Sequence, residues 1–353
     1  MKWAAVMMFL VWITTGGVSA MQQPEQLELL WEQAQLYGVS QETSLEQGTS
    51  TLLQAAKGEV ERIVYAGIRT AVRLSGVALL CSLVQKVELS QEKQKISAAQ
   101  VAGVAAITAL SLSDVTAMIG LGRETIGRME VFSRTLLPAM AVVSALTGHL
   151  NAAAARQSIT VLFSEFLVLA MDRLLIPMVY CYVAVSCAQA VIGNEGLRRL
   201  SGMIKWGITS FLTGMLLIFV GYLTASGVIA GSVDAAKIKA AKMAISRAVP
   251  VVGGVLADAS ETVLAGAGIL KSTVGVVGLL VVLAICVTPF LHLAAQYLIY
   301  KGVCAFTAVV ANSQVCGVID AIGSAFGLVL GMTGAAALIL LVSLVSAVAV
   351  VMV

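Results

Sequence analysis

Three stretches of this chain contain no Asp, Glu, Lys or Arg: the residues between Lys205 and Asp234, those between Lys271 and Lys301, and everything after Asp320. Each is long enough for the run of about 20 apolar residues with which a helix crosses a hydrocarbon core. A soluble fold would have to bury all three, and too few polar residues remain to cover such a core. Hydrophobic residues make up 59% of the chain and charged residues 12%, whereas a soluble domain carries about 25% charge. Only helices or closed barrels satisfy their backbone in lipid, and runs of this length are helical. The expected fold is an all-α, polytopic membrane helix bundle.

The first twenty residues carry a different signal. Lys2 is followed by the short apolar run Trp3 to Ile13, and Val18-Ser19-Ala20 has the small-residue pattern of a cleavage site. Residues 1–20 are therefore read as a signal peptide, the alternative being an uncleaved first span. Residues 21–62 hold seven Glu against Lys57 and Arg62, and are expected to form an acidic extracytoplasmic head. The membrane domain then occupies 63–353.

Within that domain one segment occurs twice. Phe132-Ser133-Arg134-Thr135-Leu136-Leu137-Pro138 is followed 39 residues later by Pro177, and Ile245-Ser246-Arg247-Ala248-Val249-Pro250 is followed 39 residues later by Pro289. Both proline pairs are offset by 112 residues. A fixed offset points to an internal duplication, with repeat units at about 98–205 and 206–320 and a closing helix at 324–353. Such repeats with broken helices are a common plan of transport proteins; the bland alternative is coincidence.

Apolar segments at 63–84, 101–121, 131–148, 158–175, 177–192, 207–230, 245–268, 273–288, 289–310 and 324–353 allow eight to ten crossings. The basic loops at 85–99 and 193–205 favour a shared cytoplasmic side under the positive-inside rule. The equally basic linker at 233–247 then falls outside, which conflicts with the rule.

The candidate functional residues lie in the two repeated segments. Pro250, Gly253 and Gly254 would interrupt an apolar helix, and broken backbone at membrane depth survives only beside protein or a water-filled cavity. Ser246, Arg247, Asp258 and Glu261 surround that break, and ionisable groups inside a bundle often mark a pathway. The first unit keeps Ser133, Arg134 and Pro138 but lacks the acidic pair; its nearest acids are Glu165 and Asp172. The competing reading sets these charges at the water interface. Gly323, Gly327 and Gly331 on the last helix, and the pair Gly227 and Gly231, have the spacing of close helix contacts.

No metal site, cofactor or catalytic residue is expected. The six cysteines lack Cys-x-x-Cys spacing and read as small packing thiols. The two histidines, His149 and His292, are too few for a metal centre; His292 reads as a packing residue, with proton handling as the alternative. There is no Gly-x-x-x-x-Gly-Lys-[Ser/Thr] loop, Gly-x-Ser-x-Gly or His-Glu-x-x-His motif. The chain is thus not expected to be an enzyme or to bind nucleic acid, and any energy source is an ion gradient or a separate subunit.

The stretch Ala240-Ala241-Lys242-Met243-Ala244-Ile245-Ser246-Arg247-Ala248-Val249-Pro250-Val251-Val252-Gly253-Gly254, continuing through Asp258, Glu261-Thr262-Val263-Leu264-Ala265-Gly266 and Leu270-Lys271-Ser272-Thr273-Val274-Gly275, resembles the signature region of the stage III sporulation protein AE family of endospore-forming bacteria. The segment 132–138 resembles that family's earlier motif. The resemblance implies an integral-membrane subunit of a secretion-like channel complex in the mother-cell membrane around the forespore, supporting late gene expression there. It implies partners in that complex, including a separate ATPase and ring-forming proteins, and a lipid bilayer as the immediate environment. It supplies no catalytic residues. Two other roles stay open: a structural assembly platform of that complex, and an autonomous ion-coupled secondary transporter.

Cleavage after Ala20 is checked by N-terminal sequencing of the membrane-bound protein, which should begin at Met21; an intact Met1 would refute it.

Overall fold

The computed structural model describes residues 45–88, 98–146, 162–225, 273–309 and 313–351, with a few positions between 32 and 39. Short turns apart, these residues are helical, and none of them forms a strand. We number the helices α1 (Leu45–Glu88), α2 (Ala98–Leu146), α3 (Leu162–Ile192), α4 (Glu195–Ala225), α5 (Thr273–Thr307) and α6 (Ser313–Val351). All six are long and apolar enough to cross a membrane.

Three boundaries expected from the sequence disappear. Segments 101–121 and 131–148 join in α2, 158–175 and 177–192 join in α3, and 273–288 and 289–310 join in α5. The eight to ten crossings expected of the whole chain thus become six among the described residues, with the candidate at 245–268 lying outside them. Pro138 and Pro289 both sit inside continuous helices. A proline forfeits one backbone bond and crowds one carbonyl, and a helix packed against neighbours withstands that loss. The charged stretch between 121 and 131 continues α2 because its Glu and Arg residues pair one turn apart, as in Arg128–Glu124 and Arg134–Glu130. Likewise α1 runs unbroken through residue 62, and α4 through residue 205.

Contacts fix the direction of each helix. Gly48 meets Leu280 and Gly67 meets Ile299, so α1 and α5 run parallel; Gly103 meets Val315 and Gly122 meets Val329, so α2 and α6 run parallel. Arg123 pairs with Asp172 and Arg134 with Glu165, so α2 and α3 are antiparallel. The stacked rings of Phe163 and Phe219 and the contact of Gly207 with Met178 make α3 and α4 antiparallel. Helices α1, α3 and α5 therefore run one way and α2, α4 and α6 the other. The close connections α1–α2, α3–α4 and α5–α6 share one end, called here the tight-turn end. Residues 85–88 and 193–205 lie at this end. Pro177 and Pro289 lie on helices of the same direction. Helices α4 and α5 both meet the opposite, open end, so the residues linking them start and finish there.

Helix α6 is the centre of the bundle. Its candidate span, Ser313–Val345, carries an 18-residue window that is wholly buried. It packs on α5 and α2 most extensively and touches α3 and α4. Glycine lets α5 come close: a Cβ added at Gly323 would stand 3.0 Å from Tyr300 Cβ, and one at Gly327 3.0 Å from the Tyr297 ring. Gly331 is also buried on α6, while Gly227 and Gly231 lie outside the described residues.

The tight-turn end is braced by polar contacts. Lys301 Nζ reaches Asp320 Oδ1 at 2.5 Å and Ser324 Oγ at 2.9 Å, and Lys205 Nζ donates to Ser324 Oγ at 3.3 Å, tying α4 to the α5–α6 hairpin. Gly193, with φ 69°, ends α3 in the left-handed conformation that glycine adopts at little cost. Cys304 and Cys316 form a disulfide across the α5–α6 hairpin. This corrects the reading of all six cysteines as packing thiols: the hairpin brings together two residues that sequence spacing does not mark.

Gly327→Leu should force α5 away from α6 and lower stability by about 1–3 kcal/mol, the usual cost of overpacking. Gly317→Ala, where an added Cβ meets nothing within 4 Å, should not. Thermal unfolding of the two purified variants in detergent measures the difference.

Candidate functional site

A polar surface groove with a volume of about 460 Å³ lies between α2 and α3. From α2 it takes Arg123, Gly127, Glu130 and Arg134, spaced i, i+4, i+7 and i+11 along one face. From α3 it takes Glu165, Asp172 and Arg173, with Leu162, Phe166 and Leu169 as apolar walls. Ile126, Val168 and Ile176 lie at its base, all three in the apolar core.

The groove is crossed by ion pairs. Arg123 holds Asp172 with both ends of its fork, Nε to Oδ1 at 2.5 Å and Nη2 to Oδ2 at 3.2 Å. Arg134 donates to Glu130 Oε1 at 2.7 Å along its own helix, and its Nε lies 3.6 Å from Glu165 Oε1 across the groove. Bidentate Arg–carboxylate pairing of the first kind is directional as well as strong. The arginine side chains remain open, at 63% exposed for Arg123 and 62% for Arg134.

The backbone of α3 is adjusted at this place. Met171–Leu175 form a π turn, closed by the Ile176 N–H donating to the Met171 carbonyl. Pro177 follows directly. It has no N–H to offer the Arg173 carbonyl and its ring would crowd that group; a wider turn relieves both problems. The extra residue also shifts the angular phase of α3, and Asp172 within the turn faces Arg123. π turns recur at functional sites.

The groove lies at the depth of apolar residues on every neighbouring helix. Gly122 packs on Val329 and lies near Thr333, within the charge-free run of α6, and Leu136 lies with Gly278 and Leu344. Phe163, at the other end of the α3 wall, stacks on Phe219 in the charge-free run of α4. Six charged side chains thus line an outward face of the bundle at membrane depth, where an isolated charge costs about 2.5–3.5 kcal/mol on insertion scales. A surface of this kind belongs against water or protein rather than acyl chains.

Of the residues singled out in the sequence, Arg134 is in the groove, Ser133 is buried beside it on the inward face of α2, and Pro138 lies one turn beyond Arg134 within the same helix. Ser246, Arg247, Pro250, Gly253, Gly254, Asp258 and Glu261 lie outside the described residues. Sequence reasoning missed Arg123 and Glu130. Their signal was the shared face with Arg134, obscured by placing a boundary between two short spans there. Among the described residues no group of three or more His, Cys, Asp or Glu is arranged to hold a metal ion.

Residues 34–351 match the family described as stage III sporulation protein AE. A 213-residue stretch, 60% of this chain, is 23% identical to stage III sporulation protein AE of Bacillus subtilis (strain 168) and covers 53% of that protein, so the match spans about half of the curated relative's length. No solved structure matches the chain. With the family match running through all six helices, the chain belongs to the stage III sporulation protein AE family.

Proposed function

We propose that this protein is a non-enzymatic, integral-membrane subunit of the mother-cell sporulation complex, and that the α2–α3 groove lines an aqueous path through it. The observation that carries this reading is the row of charged side chains on an outward face at the depth of charge-free helices. In this reading the head residues before α1 are exported, the open end faces the space between mother cell and forespore, and the tight-turn end faces the mother-cell cytoplasm, where the Cys304 and Cys316 sulfurs would be held as thiols. The latter end carries Arg198, Arg199, Lys205 and Lys301, in keeping with the positive-inside rule. A separate ATPase and ring-forming proteins would supply energy and the rest of the conduit. Arg247, Asp258 and Glu261 of the second unit are proposed to belong to the same polar path.

A structural platform is the second reading, and one observation favours it. Glu130, Glu165 and Asp172 are each paired with an arginine, as suits a surface closed by another subunit. The two readings separate in a background with the native cysteines replaced. Leu169→Cys, on the groove wall and 56% exposed, should react with a membrane-impermeant thiol reagent. A path keeps that reactivity when the complex assembles, and a platform loses it.

Gly127 offers a sharper test. A Cβ added there meets nothing within 4 Å and Gly127 lines the groove, so Gly127→Leu is expected to project into it. Replacing a helical glycine should stabilise the protein by up to about 1 kcal/mol. The expected result is unchanged or raised thermal stability together with at least a tenfold loss of heat-resistant spores. Full spore yield would remove the path reading.

The acidic pair is tested separately. Asp258→Asn with Glu261→Gln should abolish spore formation while protein level and complex assembly stay intact. Full activity of that variant would exclude these residues from the path.

A further inference from the structure

On the side of the bundle away from the groove, α1 and α5 bring a carboxylate and an imidazole together. His292 Nε2 lies 3.0 Å from Glu59 Oε1, both side chains being roughly a quarter to a third exposed, and Arg62 Nη1 lies 3.5 Å from the other oxygen, Oε2. The two residues are 233 positions apart in the chain. His292 stands midway along the candidate span Gly275–Thr307, so the pair is at mid-depth of a helix with no other charge between Lys271 and Lys301. Packing alone gives no reason for an imidazole and a carboxylate to meet there, since an apolar pair would avoid the insertion cost of the charge.

From His292 a polar line leads towards the tight-turn end. Gln296 follows at i+4 and Tyr300 at i+8, on adjoining parts of one helix face. The Tyr300 hydroxyl donates to Asp114 Oδ2 on α2 at 2.9 Å, and Ser111 of α2 lies beside the same hydroxyl. Gln296 Oε1 is buried with no hydrogen-bond partner among the described residues, and Ser111 Oγ is buried beside the Tyr300 hydroxyl. A buried polar atom such as the Gln296 oxygen is ordinarily satisfied by protein or by water. Tyr300 and Asp114 lie near the Lys301–Asp320 pair of the tight-turn end. The other ionisable groups near the pair on α1, Lys57 and Glu61, are exposed, and α6 carries none beyond Asp320.

We propose that Glu59 and His292 form a proton-binding site at mid-depth, reached from the tight-turn end through Gln296, Ser111, Tyr300 and Asp114. The bound proton resides on His292 Nε2, facing the Glu59 carboxylate, so that uptake converts a neutral imidazole beside an anion into a charge-assisted pair. Release returns a proton through water held along the line by the hydroxyl, amide and carboxylate oxygens. The site stands independently of the groove between α2 and α3 and does not require it to conduct.

The chain contains two histidines, so His149→Gln leaves His292 as the sole imidazole. The full-length variant, labelled with ¹⁵N-histidine and reconstituted in vesicles of phosphatidylethanolamine and phosphatidylglycerol, is followed by solid-state NMR from pH 5 to 9. The expected result is a conversion of His292 between neutral and doubly protonated forms, displaced by at least one pH unit in Glu59→Gln. Arg62→Gln, which leaves both members of the pair in place, should displace it in the opposite sense, and serves alone if Glu59→Gln does not fold. Gln296→Leu should leave the conversion where it is and slow deuterium exchange at His292 Nε2 at least tenfold. A His292 that keeps one form throughout, or a conversion indifferent to the carboxylate and to Arg62, would overturn the site. Exchange as fast in Gln296→Leu as in the parent would overturn the route.

Discussion

The bundle depends on the close packing of α5 against α6. A helix buried on all sides gains nothing from the lipid around it. In a membrane the hydrophobic effect does not drive helices together, and association rests on packing and on hydrogen bonds between them. Gly323 and Gly327 let the Tyr300 and Tyr297 side chains come directly onto the α6 backbone. The Lys301–Asp320 pair holds the same hairpin at its closed end. Once α6 is enclosed, α2 and α5 have fixed positions beside it, and α1, α3 and α4 fill the outer places.

Charge is distributed according to this plan. Polar groups near α6 are few and satisfied locally: Thr333 and Ser343 donate to carbonyls one turn back, and Ser324 receives two lysines. The ionised groups at depth lie away from α6, at the α2–α3 groove and at the contact of α1 with α5. Such an arrangement keeps the desolvation cost of each charge low, because every arginine and carboxylate of the groove has a partner and an open side. It also means that the bundle's chemistry faces outward, towards neighbours and water, and not into a channel down its own axis. A conduit built from this chain would run along its flank.

Much of this architecture was legible in the sequence. The three charge-free runs identify α4, α5 and α6, because an apolar stretch of that length has one use. Gly323 and Gly327 marked a close contact by spacing alone, although not its partner. The prolines misled: Pro177 and Pro289 suggested boundaries and Pro138 a broken helix, yet a single lost backbone bond does not end a helix held on several sides. Of the three described prolines only Pro177 leaves a mark, in the π turn before it. The pairings were beyond reach for a different reason. Arg123 meets Asp172 across 49 residues and Glu59 meets His292 across 233, and no local pattern records which outer helices become neighbours. The Cys304–Cys316 bond was hidden in the same way, since it depends on a hairpin whose turn carries no distinctive motif.

The length of the central helices sets a condition on the membrane itself. The charge-free part of α5 runs from residue 273 to 300 and that of α6 from 321 onward. At 1.5 Å per residue the former is about 42 Å long, against a hydrocarbon core of about 30 Å. A rigid, glycine-packed pair cannot shorten itself by bending separately, so the mismatch falls on the bundle as a unit. It must tilt, or the bilayer around it must thicken, and either response costs a fraction of a kcal/mol per ångström. To the extent that the bilayer thickens rather than the bundle tilts, neighbouring copies share the deformation and are drawn together before any specific contact between them forms.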